Sequence, residues 1–507
     1  MKRLLALIIA IFMVAACCGC RDTVEENSVI SWYEGEDGTA ATGTGNGETG
    51  EKTSDGKTNK PSKSKDSGDT ALTGNTNIEN PLKANLKGAT INVYTVSDAF
   101  NPDASASKTA KAQAKLLEKI QKSLNCKIQA KVTTSDKLKS SVATSAAAGK
   151  ALCQVIDPKM YTAGYYVASG LVTDLARVSS MDMSKSYMQR YGVAEASRVK
   201  KSIYAVSSEG YNRVFLTYFN KRILKELGYS EDHLYKLVDS GKWTLSALDE
   251  LSKQGVKDLD GKPGHTDADQ HGVMYIDYET GLSACTFANT NTFMVTHDSN
   301  GNLVYNMENP AIMNIATTLQ SVCQNGSAFD AGEWQAKVST FASGKSFLLV
   351  GPATNMGMLS NMKDDFGVIP VPKFSEASKD YTAAVDLNCE VLMMPAGLSA
   401  KDQANAGAFI QAYEYLLDDV IDASANEFAN RYFRDDESLK YFKLAQKQML
   451  TDPSAFYGYV DDTLLAGTYR VIWNYFNPNL NTPMAAAIES AKSACTKIIG
   501  DVNAAVK

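Results

Sequence analysis

The chain of 507 residues contains few side chains with the types and spacing that hydrolytic or metal-dependent catalysis requires. The motifs GxSxG and HExxH and the Walker phosphate loop are all absent from the sequence. A glycoside hydrolase needs only two carboxylates, however, and the 57 acidic residues leave that alternative open. The histidines, which stand in polar stretches that we interpret as loops, are His233, His265, His271 and His297. The sequence therefore favours a binding function over catalysis.

An acid-rich stretch from Asp258 to Asp269 is the one place where carboxylates cluster as they do in a shortened calcium loop. An EF-hand loop requires oxygen ligands at its first, third and fifth positions and a glycine at its sixth. Counting from Asp258 places Lys262 at the fifth position and Pro263 at the sixth. The spacing therefore favours a polar turn over a calcium site.

The N-terminus has the layout of an export signal. Residues 2–3 are basic, residues 4–14 are uninterruptedly apolar, and residues 15–16 are the small side chains that signal peptidases require. The apolar run is too short to cross a bilayer, whose hydrocarbon is about 30 Å thick, as a helix. We therefore expect the segment to be removed on export.

The residue that follows the small side chains is Cys17, and Val14-Ala15-Ala16-Cys17 resembles the lipobox of bacterial lipoproteins. The resemblance implies removal of residues 1–16 and acylation of the Cys17 thiol, and two acyl chains hold a protein stably on a membrane. Cys18 and Cys20 are alternative anchor positions, because Cys20 also follows a small residue.

Residues 17–85 are predicted to form a tether behind this anchor. Gly, Thr, Ser, Asp, Glu, Lys and Asn dominate the stretch, and it has few of the aliphatic side chains from which a core is built. A flexible chain of this length has a root-mean-square reach on the order of 45 Å. The tether would let a globular body move above the membrane.

The rest of the chain, about 420 residues, is too long for one hydrophobic core and predicts two lobes. The net charge of −6 is spread over intermixed acids and bases, which gives no indication of nucleic-acid binding. Six isolated cysteines have no metal-ligand spacing, and we interpret them as buried small hydrophobic residues, although pairing between distant ones stays open. They are Cys126, Cys153, Cys285, Cys323, Cys389 and Cys495.

The first globular segment predicts a parallel sheet. Residues 89–96 alternate between apolar and polar side chains as a strand does, and residues 110–124 carry apolar side chains at helical spacing. Alternation returns at residues 128–132, which completes a βαβ unit. Ligands of open α/β sheets bind outside the carboxyl ends of the strands, here the loops that begin at Ser97 and Asp157.

Five blocks of sequence, in the same order, resemble those of family 1 extracellular solute-binding proteins, the receptors of ABC importers typified by maltose-binding protein. In the most specific block a strand runs into a helix, and Gly228 ends that helix. A second helix follows, with Thr244 as its N-cap and Trp243 as a packing residue. The sequence departs from the family at Gln154, where an Asp is usual. The blocks are Ala148–Ala151 with Ser169–Leu175, Leu216–Gly228 with Gly241–Leu251, Phe341–Phe347, Phe366–Pro372 and Tyr432–Ser438.

The resemblance implies a ligand site in a cleft between two lobes. Sugars need aromatic plates for their apolar faces and polar side chains for their hydroxyls. Ala353 stands where relatives place a stacking Trp, so that either the ligand is smaller or another aromatic side chain, Tyr457, Tyr459, Trp473 or Tyr475, supplies the plate. The implied ligand residues are Ser97, Asp98, Asn101, Tyr161, Glu209, Tyr278, Asn355, Trp473 and Tyr475.

Several of these side chains have simpler interpretations. Asp98 also fits a helix N-cap, Tyr161 a surface tyrosine, Glu209 a solvated glutamate and Trp473 a core tryptophan. The sequence alone leaves these alternatives open.

The expected fold is therefore α/β, a type II-like periplasmic-binding-protein fold with two sheets, flanking helices and a hinge. Lobe one is expected to comprise residues 86–206 with about 386–436, and lobe two residues 207–385 with about 437–507. The expected function is a monomeric, cofactor-free, lipid-anchored receptor on the extracytoplasmic face of the cell membrane, which delivers a sugar to ABC permeases. A surface glycan adhesin without a transporter and a glycoside hydrolase are the alternatives.

Overall fold

The computed structural model of the chain describes residues 78–208, 214–276, 281–476 and 483–506, and of these it leaves out the side chain of residue 355. In chain order the strands are β1 (Ala89–Thr95), β2 (Cys126–Val132), β3 (Val155–Asp157), β4 (Val206–Ser207), β5 (Phe215–Asn220), β6 (His271–Tyr275), β7 (Val295–His297), β8 (Leu303–Tyr305), β9 (Ser346–Pro352), β10 (Phe366–Pro370) and β11 (Val391–Leu392).

The helices alternate with these strands in the first half of the chain and follow one another in the second. They are α1 (Lys108–Leu124), α2 (Ser135–Ala147), α3 (Met160–Ala168), α4 (Val193–Ala196), α5 (Lys221–Glu226), α6 (His233–Asp239), α7 (Leu245–Gln254), α8 (Ser283–Thr290), α9 (Pro310–Cys323), α10 (Trp334–Ala342), α11 (Ala400–Leu416), α12 (Asp418–Tyr432), α13 (Asp436–Lys447), α14 (Pro453–Tyr457), α15 (Asp462–Ala466), α16 (Tyr469–Phe476) and α17 (Met484–Ala505).

Sheet A is parallel, with the strand order β2-β1-β3. Ala89 pairs with Cys126 and Val93 with Val155. Helix α1 is the crossover between β1 and β2, and its Leu117 and Ile120 are buried beneath the sheet's first strand pair. The βαβ unit predicted from the sequence is therefore confirmed.

Sheet B is mixed, with the strand order β10-β5-β9-β6. β5 runs antiparallel to both β10 and β9, whereas β6 and β9 are parallel. The five-residue strand β6 of sheet B contains His271, which is fully buried. Strand β7, which pairs with β8 in a separate two-stranded sheet, contains His297. His233 is the first residue of α6. The interpretation of these three histidines as loop residues was wrong, because polar side chains occur within strands and at helix starts as well as in loops.

The chain passes between the two sheets close to a short antiparallel pair, β4 with β11. Met393, just after β11, exchanges backbone hydrogen bonds with Ile156 of β3, which ties the pair to sheet A. Further on, α12 packs on α1, whereas α13 packs on β10 of sheet B. Consecutive helices α12 and α13 thus belong to different sheets.

Two clusters of buried side chains form the core. One lies around sheet A and includes Ile91, Val93 and Phe409. The other runs from sheet B through the C-terminal helices to α3. At this last contact Gly164 of α3 is required, because a Cβ atom there would lie 2.1 Å from the carbonyl oxygen of Phe456 in α14.

The six cysteines of the described residues are buried, and none of these six forms a disulfide. Trp243 is fully buried as well, and its indole N–H donates to the carbonyl of Pro370 at 2.8 Å. Its predicted role as a packing residue is confirmed. Among the residues that the structure describes, no helix has the length and apolar character needed to cross a membrane.

Candidate ligand-binding site

The carboxyl edge of sheet A holds a buried carboxylate, Asp157, the last residue of β3. The Thr95 hydroxyl donates to Asp157 Oδ2 at 2.7 Å, and the Ser97 hydroxyl donates to the same oxygen at 3.4 Å. The other oxygen, Oδ1, has no hydrogen-bond partner among the described residues. Ser97, a predicted ligand residue, is therefore part of a polar group with an unused acceptor.

One acidic and one basic side chain, Glu390 and Lys159, act on this carboxylate. Burial raises the pKa of Asp157 well above its usual range, and the nearby Glu390 carboxylate raises it further. The Lys159 ammonium acts in the opposite direction, and it forms an ion pair with Glu390. Asp157 is thus able to accept or donate a hydrogen bond near neutral pH.

Tyr161 follows on the same loop, in the first turn of α3. Its backbone N–H donates to the carbonyl of Leu387 at 3.2 Å, which attaches the start of α3 to the segment before β11. Its half-buried ring packs edge-on against Tyr459, with ring centroids 6.1 Å apart. Tyr459 in turn lies 5.2 Å from the ring of Tyr469 in α16. Rings from the edge of sheet A and from the C-terminal helices therefore form one row.

Tyr459, in the middle of this row, has charged neighbours. Burial raises the pKa of its hydroxyl, Asp386 raises it further, and Arg470 lowers it. An acid and a base thus lie within electrostatic reach of the aromatic row. Tyr457, the other tyrosine of this stretch that was considered as a plate, is fully buried and donates to the carbonyl of Ser197 at 2.6 Å.

Two of the predicted ligand residues, Trp473 and Tyr475, lie on α16. Trp473 is 41% exposed, so that its interpretation as a core tryptophan was wrong. It lies one helical turn after Tyr469 and therefore on the same side of α16. The half-buried Tyr475 has its hydroxyl 3.4 Å from Thr317 Oγ1 in α9 and its carbonyl bound by Gln320.

Asp98 and Asn101 lie in a turn after β1, where the N–H of Asn101 donates to the carbonyl of Asp98 at 2.9 Å. Both side chains are exposed. The alternative of a helix N-cap at Asp98 was wrong, because Ser107 caps α1 by accepting a hydrogen bond from the N–H of Ala110. In the part of the chain that the structure describes, no hydrogen bond or ring contact joins this turn to Tyr161.

Three of the predicted ligand residues cannot be placed. Glu209 and Tyr278 lie outside the described residues, and so does the side chain of Asn355. Cys17, the predicted lipid anchor, lies outside them too.

The sequence analysis missed the carboxylate pair of Asp157 and Glu390. The sequence could have indicated Asp157, because an acid that directly follows the apolar Val155 and Ile156 lies at the carboxyl end of a strand, where ligands bind. Glu390 carried none, since its position beside β3 depends on pairing with a segment more than two hundred residues away.

The acid-rich stretch forms a turn whose backbone N–H groups are bound by its own carboxylates. Carboxylate oxygens of Asp258, Asp260 and Asp269 lie within 4.8 Å of one another. Asp269 accepts from the backbone N–H groups of Leu259 and Thr266, both at 2.9 Å. These hydrogen bonds of Asp269 stabilise the turn.

The architecture is the two-lobed α/β fold of periplasmic binding proteins, as the sequence predicted. The cyclic alpha-maltosyl-1,6-maltose binding protein of Arthrobacter globiformis superimposes with a TM-score of 0.55 at 14% identity, over 81% of this chain and 99% of that one. UspC of M. tuberculosis also gives a TM-score of 0.55, at 11% identity, over 81% of this chain and 100% of its own. At identities this low, the superpositions show a common fold and nothing beyond it.

Comparison by sequence adds no relative. No protein-family model matches the chain, and no curated protein matches it. The fold and the geometry of the candidate site are therefore the basis for assigning a function.

Proposed function

We propose that the chain is an extracellular solute-binding receptor that binds a sugar or oligosaccharide between its two lobes and delivers it to an ABC importer. The observation that carries the proposal is the aromatic row Tyr161–Tyr459–Tyr469, which connects the carboxyl edge of sheet A with the C-terminal helices. The fold supports it, because one protein with this fold is a cyclic alpha-maltosyl-1,6-maltose binding protein.

The proposed recognition combines two kinds of contact. An aromatic ring gives the apolar face of a sugar a surface to pack on, and we assign this role to Tyr161 and Trp473. At the sheet edge the half-buried Ser97 side chain then binds a hydroxyl group of the sugar, and the buried Asp157 carboxylate, which accepts from the Ser97 hydroxyl at 3.4 Å, positions it. The exposed pair Asp98 and Asn101 and the undescribed Glu209, Tyr278 and Asn355 remain further proposed contacts.

Closure of the lobes is the proposed response to ligand. A ligand shifts the balance of open and closed forms only by its differential affinity for them, and a site with groups on both sides of a cleft provides that difference. Small-angle scattering should show compaction when a saturating ligand is added, with calorimetry confirming saturation. An unchanged radius of gyration at saturation would contradict closure.

We propose binding without catalysis, because the carboxylate pair of Asp157 and Glu390 is unsuited to glycoside hydrolysis. Hydrolysis requires two carboxyl groups facing the scissile bond. Asp157 is fully buried, and Glu390 is nearly so and is occupied by Lys159. Incubation with candidate oligosaccharides should release no reducing sugar, and release that is lost in Asp157→Asn would favour the hydrolase instead.

A thermal-shift screen tests the ligand class directly. Binding at 100 times the dissociation constant stabilises the folded state by about 2.7 kcal/mol, which is readily measured as a rise in melting temperature. We expect stabilisation by one or a few mono- or oligosaccharides. Stabilisation by amino acids or peptides, with no sugar active, would contradict the proposal.

The proposed location is the outer face of the cell membrane, with the acylated Cys17 as the anchor and the body as a monomer. Permease subunits are the proposed partners, and sugar uptake should fall when the gene for the chain is deleted. If sugar binding is confirmed but uptake is unaffected, the adhesin alternative accounts for the protein better.

A further inference from the structure

The exposed side of α1 carries a stripe of lysines along its whole length. At 3.6 residues per turn the five lysines fall within an arc of about 80°, nearly opposite the buried residues Leu117, Ile120 and Leu124. All five are exposed, and among the described residues none of them forms an ion pair. The lysine stripe, as we call it, consists of Lys108, Lys111, Lys115, Lys119 and Lys122.

A groove of about 310 Å³ runs beside the stripe, where α1 meets the end of α11 and the start of α12. Ammonium groups rim it over an apolar floor, and a single acid, Asp419, stands on its wall. The residues that line it are Lys108, Lys111, Ala112, Lys115, Leu116, Lys119, Leu416 and Asp419. Such a concentration of one charge stands out in a chain whose net charge is −6.

The acids near the stripe do not neutralise it. Glu118 is the one exposed acid on α1 itself. Glu427 of α12 uses its carboxylate to cap the start of α1, accepting from the backbone N–H groups of Lys108 at 3.2 Å and Thr109 at 2.8 Å. The Glu427 carboxylate thus binds the N-terminus of α1 and forms no ion pair with a lysine of the stripe. All five ammonium groups of the stripe are therefore without an ion pair among the described residues and are available to an anionic partner.

The position of the N-terminal part of the described chain indicates which partner this is. The short 3₁₀ turn Pro81–Lys83 packs against both α1 and α11, the two helices that form the groove. The residues that precede it lead back to Cys17, the proposed lipid anchor. The described chain therefore joins the body at the two helices that form the groove.

We propose that the lysine stripe docks on the phosphate headgroups of the membrane that holds the lipid anchor. The inference rests on the lipid anchoring in the proposed function. Lysines near an anionic surface each contribute an attraction that falls off within a Debye length, so a row of them orients a helix along the surface. A tether alone leaves the body free to turn; the stripe would hold α1 against the membrane and set the direction of the cleft.

Vesicle flotation tests the proposal on the complete mature chain with Cys17, Cys18 and Cys20 replaced by Ser, so that acyl chains contribute nothing. One set of vesicles contains about one third phosphatidylglycerol in phosphatidylcholine, and the other set is phosphatidylcholine alone. The stripe variant carries Lys→Gln at Lys108, Lys111, Lys115 and Lys119. The matched control carries Lys→Gln at four exposed lysines elsewhere: Lys225, Lys242, Lys363 and Lys379.

We expect the unsubstituted chain to bind the anionic vesicles, and the stripe variant to lose at least about tenfold in partitioning. The control should stay within about twofold, and about 0.5 M salt should abolish binding by screening. Equal binding to both kinds of vesicle, or an equal loss in the control, would overturn the proposal.

Binding to soluble polyglutamate in place of the vesicles would also overturn it and assign the stripe to an acidic polymer. Melting curves verify that the variants are folded. Sugar affinity should be equal in all of them, so that a failure of the sugar-binding proposal is recognised separately.

Discussion

The ammonium group of Lys221 lies 2.7 Å from Oδ2 of Asp435, a residue 214 positions later in the chain. Lys221 starts α5 directly after β5, and Asp435 is the N-cap of α13. Both belong to blocks that resemble solute-binding proteins. In this structure the two blocks meet beside sheet B, so that what they specify here is the packing of α13 on β10.

Replacing Asp435 with Ala should destabilise the protein by about 1–3 kcal/mol, because a helix cap and an ion pair are lost together. Asp435 accepts from the N–H of Ser438 at 2.6 Å and from the Tyr235 hydroxyl at 3.0 Å. Chemical denaturation measures the loss. Asp461→Ala removes an exposed cap, that of α15, and serves as the control with a smaller effect.

The effect of Asp435 should depend on pH in a defined direction. Burial acts to raise its pKa, but Lys221 and Ser438 outweigh burial and hold the pKa below the model-compound value of 3.8. The stabilisation is therefore present above about pH 4 and is lost as the pH falls through the lower pKa of the folded state. A difference between variant and unsubstituted chain that grows in acid would contradict this account.

Asp452 should show the opposite pH dependence. Its side chain is almost completely buried, and burial raises its pKa from 3.8 to about 7, although the backbone N–H of Ser454 donates to it. The folded state therefore binds a proton that the unfolded state releases, and stability falls as the pH rises from about 4 to about 7. Asp452→Asn keeps the side-chain oxygen that accepts from the N–H of Ser454 and has no proton to release, so that it removes this loss of stability. It should be more stable than the unsubstituted chain above pH 7 by more than about 1 kcal/mol.

Denaturant titrations at several pH values measure the Asp452 effect. Asp461→Asn is the matched control, because Asp461 caps α15 in the same way but is exposed. If both variants follow the pH profile of the unsubstituted chain, burial of Asp452 has no part in the acid–base balance of folding.

Trp473→Ala should weaken sugar binding by about 1–3 kcal/mol, about five- to 150-fold, because an aromatic plate is lost. The melting temperature without ligand should hardly change, since the side chain is 41% exposed. The buried Trp243 provides the contrast: its replacement by Ala should cost about 3–5 kcal/mol of stability. Calorimetry of Trp473→Ala with unchanged affinity would remove this residue from the ligand site.

Cys17→Ser should release the protein into the medium or leave the precursor uncleaved, because the thiol that receives the acyl chains is gone. Metabolic labelling with a fatty acid measures the outcome. Cys18→Ser should keep the label and is the matched control. Label that persists in Cys17→Ser and disappears in Cys20→Ser would place the cleavage site three residues later.

The sequence predicted those parts of the fold that depend on local pattern. The alternation in β1 and β2, the apolar spacing of α1 and the N-cap at Thr244 are all present. The strand order of sheet B was beyond its reach, because β10 and β5 pair over a long separation in the chain and no local pattern encodes that register.

The candidate site was predictable in part for the same reason. The loops after β1 and β3 follow from the rule for parallel sheets, which indicated the loops that begin at Ser97 and Asp157. Tyr161, in the second of these loops, came from the resemblance to solute-binding proteins. The contact of Tyr161 with Tyr459 joins segments far apart in sequence. Exposure of Trp473 depends on how α16 lies on its neighbours, and an eight-residue amphipathic helix does not determine that by itself.

Because the six cysteines are buried, the reactivity of their thiols reports local unfolding. None of these six forms a disulfide, and burial raises the pKa of Cys153 and of Cys285 to about 12, so that the reactive thiolate is scarce at neutral pH. An alkylating reagent would therefore modify these positions only when the surrounding segment opens. Cys153 lies just before β3 and Cys285 lies in α8, so that mass spectrometry of the two peptides would measure the opening of these two segments separately.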